Sequence, residues 1–268
     1  MDKHILVFDS GLGGTTILDA LRQRLPGYRY SYAMDNGAFP YGDKTDDFLR
    51  QRIQTLFDAL LPQAQPDLVV IACNTASTLI LDVLRARHSI PFVGVVPAIK
   101  PAAAASHSKV IALLATPATL TRGYIDQLSM THANHCQLIR YAHPELVAIA
   151  EDKMLGHAVD RQHLANILAP LKEQQGAAAI DTFVLGCTHF PAIADELAMA
   201  WGSPARWIDS GQAIARRVGE LLGPCPGKPD GPAGILFLTA TPPPASLQKI
   251  VEKYAFTESR LVAIDNKL

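Results

Sequence analysis

The sequence predicts an α/β fold of two similar lobes, each a mainly parallel sheet flanked by helices. Three observations carry that expectation. Short, continuously apolar runs such as HILVF (4–8) and LVVIA (68–72) suit strands covered on both faces, since a half-exposed strand alternates apolar with polar residues. Helical periodicity fills the intervals between such runs, and this alternation builds βαβ units around a parallel sheet. The strand and turn of VFDSG (7–11) return as WIDSG (207–211), each running into a helix, as two related lobes would require.

In chain order the strands fall at HILVF (4–8), YSYA (30–33), LVVIA (68–72), FVGVV (92–96), KVIALLA (109–115) and QLIRYA (137–142). TFVLG (182–186), ARWI (205–208), ILFLT (235–239) and LVAI (261–264) complete the set. Helical patterns between them include TTILDALRQRL (15–25), DDFLRQRIQTLFDALL (46–61) and ASTLILDVLRAR (76–87). The second of these reads as a packing element with a solvated charged face. The chain crosses between lobes near Pro97 and Asp209, giving 1–97 plus 209–268 for the first lobe and 98–208 for the second. GPCPGKPDGPAG (223–234) is a surface loop of the first lobe by composition.

A chain of 268 residues can bury a substantial core, and 49% hydrophobic against 18% charged residues excludes a disordered protein. A net charge of −1 offers no electrostatic footprint for nucleic acid or an anionic membrane. No apolar run approaches the roughly 20 residues that cross a bilayer. The N-terminal MDKHILVFDS lacks the longer apolar region and cleavage site of a signal peptide, so a cytoplasmic address is expected. There Cys73, Cys136, Cys187 and Cys225 are expected as free thiols, and no C-x-x-C pair suggests structural zinc.

DSGLGG (9–14) ends the first strand, where parallel sheets bind ligands. It fails both phosphate patterns: Thr15-Thr16 stand where Walker A needs Lys-Ser/Thr, and Thr16 replaces the third glycine of the dinucleotide motif. A tight turn with Ser10 or Asp9 capping the next helix is the bland alternative. In ACNTAS (72–77), Cys73 follows a strand and precedes a helix N-terminus, which favours a thiolate; Asn74 and Thr75 add donors for a carboxylate. A small buried hydrophobe is the alternative there. GCTHFP (186–191) repeats the plan at Cys187, adding Thr188 as a donor and His189 as a proton-handling partner.

A cysteine hydrolase or lyase would use one thiolate with a histidine and leave the second thiol idle. Two thiols in matched settings suit inversion at a carbon bearing hydrogen. One thiolate removes the proton from one face, and a thiol returns a proton to the other. A non-catalytic binding protein on the same scaffold stays open. His132, His135 and Cys136 in THANHC lack a fourth ligand at sensible spacing for a metal, and Cys225 is incidental.

VFDSGLGG (7–14), FPYGDK (39–44), IACNTAST (71–78), GVVPAIKPA (94–102), LGCTHFP (185–191) and IDSG (208–211) together resemble the cofactor-independent glutamate racemases of the aspartate/glutamate racemase superfamily. The resemblance spans most of the chain. PYG with the paired ACNT and GCTH signatures separates this family from relatives acting on aspartate or hydantoins; a racemase of aspartate or another acidic substrate is the alternative. The resemblance implies an active site in the cleft between lobes, L- and D-glutamate as substrates, no cofactor, and D-glutamate supplied to peptidoglycan. Cys73 would serve D-glutamate and Cys187 L-glutamate, with Asp9, His189 and Glu151 as acid–base assistants. Asp9, Ser10, Tyr41, Gly42, Asn74, Thr75, Thr188 and His189 would hold the substrate. For Glu151 an exposed helix carboxylate is the alternative. No pyridoxal phosphate lysine motif is evident, so positioned donors, excluded water and lobe closure would have to stabilise the carbanion. The sequence fixes no oligomeric state, and a homodimer is compatible with it.

Overall fold

The computed structural model describes residues 3–223 and 233–264. Cys225 and most of the 223–234 loop lie outside them. The chain divides into two compact units, Met1–Val95 with Gly211–Leu268, and Val96–Ser210.

The chain opens with β1 (His4–Asp9), α1 (Thr15–Arg24) and β2 (Arg29–Met34), then short 3-10 turns at Asn36–Ala38 and Tyr41–Asp43. α2 (Asp46–Ala64), β3 (Leu68–Ile71), α3 (Asn74–Arg87) and β4 (Phe92–Gly94) follow. The second unit holds α4 (Ile99–Ala105), β5 (Val110–Leu114), α5 (Pro117–Leu120), α6 (Gly123–His132), β6 (Gln137–Tyr141) and α7 (Glu145–Met154). It continues with α8 (Arg161–Lys172), β7 (Thr182–Leu185), α9 (Ala194–Trp201) and β8 (Arg206–Ile208). α10 (Gly211–Leu222), β9 (Ala233–Leu238), α11 (Pro244–Tyr254) and β10 (Glu258–Leu261) return to the first unit.

The first unit's sheet has the order β10-β9-β2-β1-β3-β4 and the second's β6-β5-β7-β8, with every pairing parallel. β1, β3 and β7 are buried along their whole length, as continuous apolar runs require. α2 begins at Thr45, whose hydroxyl accepts from the Phe48 N–H, with Asp46 and Asp47 in the first turn to complement the dipole. It packs Leu49, Ile53, Leu56, Phe57 and Leu60 against Leu6, Phe8, Val69 and Ile71 of the sheet.

Three expectations need correction. The last strand is Glu258–Leu261, not 261–264: its residues are all exposed on the sheet edge, so no apolar run marked it, and buried Val262 lies just beyond. The face of α2 is not wholly solvated, because Arg52 is buried and paired with Asp35. α3 starts at Asn74, two residues earlier than its apolar pattern suggests.

Each sheet has a topological switch point where the chain leaves one central strand in both directions: between β1 and β3, and between β5 and β7. Open parallel sheets bind ligands outside the carboxyl ends of their strands at such points. Cys73 follows β3 and Cys187 follows β7. Among the described residues no helix is long and apolar enough to cross a membrane.

At the opposite end of the first sheet, the His4 ring lies 2.8 Å from the Ser31 hydroxyl, which also accepts the Ile235 N–H, so the three tie β1, β2 and β9 together. Burial and the nearby Arg29 charge lower the His4 pKa to about 4. Between pH 6.5 and 4 the unfolded chain therefore binds a proton that the folded one refuses, and stability falls as pH falls through that window. The shift corresponds to about 3 kcal/mol at most. Urea unfolding at pH 7 and pH 4.5 should show a larger acid loss for the native chain than for His4→Gln; equal losses would assign the effect elsewhere.

Candidate active site

In the first unit, β1 delivers Asp9 fully buried at its carboxyl end. One Asp9 carboxylate oxygen accepts from the Ser10 hydroxyl (3.3 Å) and the Gly11 N–H (3.2 Å). The Tyr32 hydroxyl donates to the Gly11 carbonyl at 2.6 Å and pins the loop. A Cβ on Gly14 would lie 2.6 Å from the Asp9 Cβ and 3.0 Å from that of Ala72. The DSGLGG glycine at that position thus lets the chain fold tightly over a carboxylate. Asp9 and Ser10 do not cap α1, whose N-cap is Gly14.

The Ala72 N–H donates to the Phe8 carbonyl, which sets Asp9–Ser10 beside Ala72–Cys73. Cys73 is the N-cap of α3 and is 7% exposed, so its sulfur meets the positive end of a 14-residue helix. Asn74 and Thr75, the first two helical residues, are buried. The Asn74 side-chain oxygen has no hydrogen-bond partner among the described residues. An unsatisfied buried amide costs about 1–3 kcal/mol, so a ligand group that meets it gains correspondingly.

Tyr41 and Gly42 form the 3-10 turn before α2, with Tyr41 buried and Gly42 partly exposed. The Tyr41 hydroxyl donates to Asp35 at 2.6 Å. Burial first, then the Asp35 charge and hydrogen bond and the neighbouring Cys73, hold the phenol well above its usual pKa. The hydroxyl is committed, and a substrate would meet this turn through its main chain. Sequence reasoning missed Asp35 and its partner Arg52. The signals were an acidic residue directly after β2 and an arginine within the 49–53–56 apolar stripe of α2.

In the second unit, a Cβ on Gly186 would lie 2.7 Å from Leu113 Cδ1 and 2.9 Å from the Leu114 carbonyl, so glycine permits the close approach of β7 to β5. Cys187 follows, 7% exposed like Cys73. Its sulfur is 3.7 Å from His189 Nδ1, and His189 Nε2 is 2.7 Å from a Glu151 carboxylate oxygen near the end of α7. Burial works to lower the His189 pKa, but hydrogen bonds and charge from Cys187 and Glu151 outweigh it and raise it well above the usual value. The arrangement suits a thiolate–imidazolium pair braced by a carboxylate.

The two thiols differ in electrostatic partner. A 3-10 turn at Phe190–Ile193 separates Cys187 from α9, so no α-helix starts at this thiol, and the imidazole stands in for the dipole. Thr188 is buried beside it. Sequence reasoning also passed over the buried Thr116 and Thr119, which follow β5 at the same switch point and share a 3.0 Å hydroxyl contact.

The DSG echo is local. Asp209, after edge strand β8, is exposed where Asp9 is buried, while the Ser210 hydroxyl donates to the Val96 carbonyl. His132, His135 and Cys136 lie at the end of α6 and the turn before β6, and among the described residues no three His, Cys, Asp or Glu are grouped to hold a metal ion.

The family model for Asp/Glu/hydantoin racemases matches residues 15–218. The chain belongs to that family. The glutamate racemase of Shewanella loihica is 47% identical over 239 residues, 89% of this chain and 88% of that protein. The Vibrio cholerae glutamate racemase is 48% identical over 220 residues, 82% and 81% of the two chains. Among solved structures, Escherichia coli glutamate racemase in complex with L-glutamate and the activator UDP-MurNAc-Ala matches with a TM-score of 0.90. The match has 40% identity and covers 98% of this racemase and 99% of that chain. The Bacillus anthracis isoform RacE1 gives 0.81 at 25% identity over 99% and 98%. Two parallel α/β units thus agree with the architecture expected for the family.

Proposed function

We propose that this racemase interconverts L- and D-glutamate, with Cys73 and Cys187 as the two acid–base groups addressing opposite faces of one Cα. The observation that carries the reading is the matched placement of two buried thiols, each at the carboxyl-end switch point of its own parallel sheet. Each has separate assistance: Asp9 and the α3 N-terminus near Cys73, His189 and Glu151 at Cys187. The substrate rests on the relatives, which are glutamate racemases over most of their length.

In the L-to-D direction the Cys187 thiolate takes the α-proton, and the bonding pair stays on Cα. The Cys73 thiol then donates its proton to the other face and becomes the thiolate. The reverse reaction exchanges the roles. The α-hydrogen of an amino acid is weakly acidic, so the developing negative charge needs fixed donors. Asn74, Thr75 and Thr188, each buried beside a thiol, are suited to hold the carboxylate on which that charge spreads. Tyr41 and Gly42 anchor the substrate through their main chain, and Ser10 with Asp9 receives the ammonium. D-glutamate is the form destined for peptidoglycan. The buried thiols Cys73 and Cys187 fit a reducing cytoplasm.

A hydrolase would use Cys187, His189 and Glu151 as nucleophile, base and orienting group and leave Cys73 without a role. Incubating each glutamate enantiomer in D₂O separates the readings. Optical rotation should decay to zero while deuterium enters the newly formed enantiomer. Stable rotation with no deuterium at Cα would sink the racemase reading.

A further inference from the structure

A buried polar network in the first unit reaches two of the residues proposed to meet the substrate, Tyr41 and Asp9, from residues that do not touch it. Asp35, fully buried after β2, receives two donors from Arg52: Nε to Oδ2 and Nη2 to Oδ1, each at 2.7 Å. Thr239, just beyond β9, donates its hydroxyl to Oδ1 at 2.6 Å. Tyr41 donates to Oδ2 at 2.6 Å. The Asp35 N–H meets the Asp9 carbonyl at 2.9 Å, so the same residue grips the end of β1. Next to it, the Asn36 side chain accepts the Thr239 and Ala240 N–H groups and donates to the Ala240 carbonyl.

A buried carboxylate with a bidentate counter-charge and two short hydroxyl donors has little freedom to rotate. We infer that Asp35, locked by Arg52, is a positioning residue for glutamate binding: through the Tyr41 hydroxyl it fixes the Tyr41–Gly42 turn, and through its N–H it fixes Asp9. This rests on the glutamate racemase reading and extends it to residues that do not touch substrate. The phenol ring still packs near Phe8, with centroids 6.4 Å apart, so removing only the hydroxyl cuts the tie while keeping the packing.

Two conservative variants discriminate positioning from plain stability, because each removes one 2.6 Å hydroxyl donor from the same carboxylate. Tyr41→Phe releases the substrate turn; Thr239→Val does not. Both should lower the urea midpoint by similar amounts. Tyr41→Phe should raise KM for both glutamate enantiomers about tenfold with kcat within about threefold, the signature of lost uniform binding. Thr239→Val should leave KM at the native value. An unchanged KM in Tyr41→Phe, or an equal rise in both variants, overturns the inference. Titration calorimetry of glutamate on the native chain and both variants runs alongside. A native chain that binds glutamate without racemising it overturns the functional reading alone, and the variants' Kd values then decide the positioning role. A native chain that binds no glutamate overturns both.

Discussion

Cys73→Ala and Cys187→Ala should each lose racemase activity by about 10³-fold or more. A positioned general acid or base contributes about 10²–10⁴-fold, and each thiol is the only proton carrier proposed for its face of Cα. Neither neighbour replaces it: His189 and Glu151 bond each other at 2.7 Å behind Cys187, and Asp9 is tied to Ser10 and Gly11. The two losses should differ in kind. With Cys73 removed, the Cys187 thiolate can still take the proton of L-glutamate, exchange it with solvent and return it to the same face. In D₂O that variant should place deuterium in L-glutamate without inversion, and Cys187→Ala should do the same with D-glutamate. Proton NMR of the α-position, combined with chiral chromatography, reads both. Native turnover in either variant would remove that thiol from the mechanism.

Arg52→Leu should destabilise the protein by about 3–5 kcal/mol, the usual effect of stripping a buried ion pair of one partner. Asp35 would be left in a site with no exposure, with the Tyr41 and Thr239 hydroxyls as its remaining side-chain donors among the described residues. Those hydroxyls put the loss near the lower end. Arg52→Leu combined with Asp35→Leu removes both charges and should recover part of it, since an apolar pair of similar volume can match a buried ion pair. Urea unfolding of the two variants measures this. A single-variant loss under about 1 kcal/mol would mean that water reaches Asp35.

The parallel sheets were legible because burial on both faces writes strands as unbroken apolar runs, as in Leu68–Ile71 and Thr182–Leu185. Edge strand β10 was misplaced for the converse reason: Glu258–Leu261 has water on its flank and needs no apolar signature. Both thiols stood out because each interrupts an apolar run just before a polar cluster. The Glu151–His189 contact was not visible, since 38 residues separate the partners and a helix carboxylate looks the same on paper whether it meets solvent or imidazole. Asp35–Arg52 hid likewise, because an arginine on a helix reads as solvated until the apolar residues around it are seen to face inward.

β9 pairs with β2 although some 200 residues of chain lie between them, and β10 pairs with β9 at the edge of that sheet. During synthesis the ribosome therefore releases β2 with a bare flank and completes every strand of the second unit before the partner for that flank emerges. The unit whose translation starts before that of the other is completed after it, and until then the bare edge of β2 is open to mispairing.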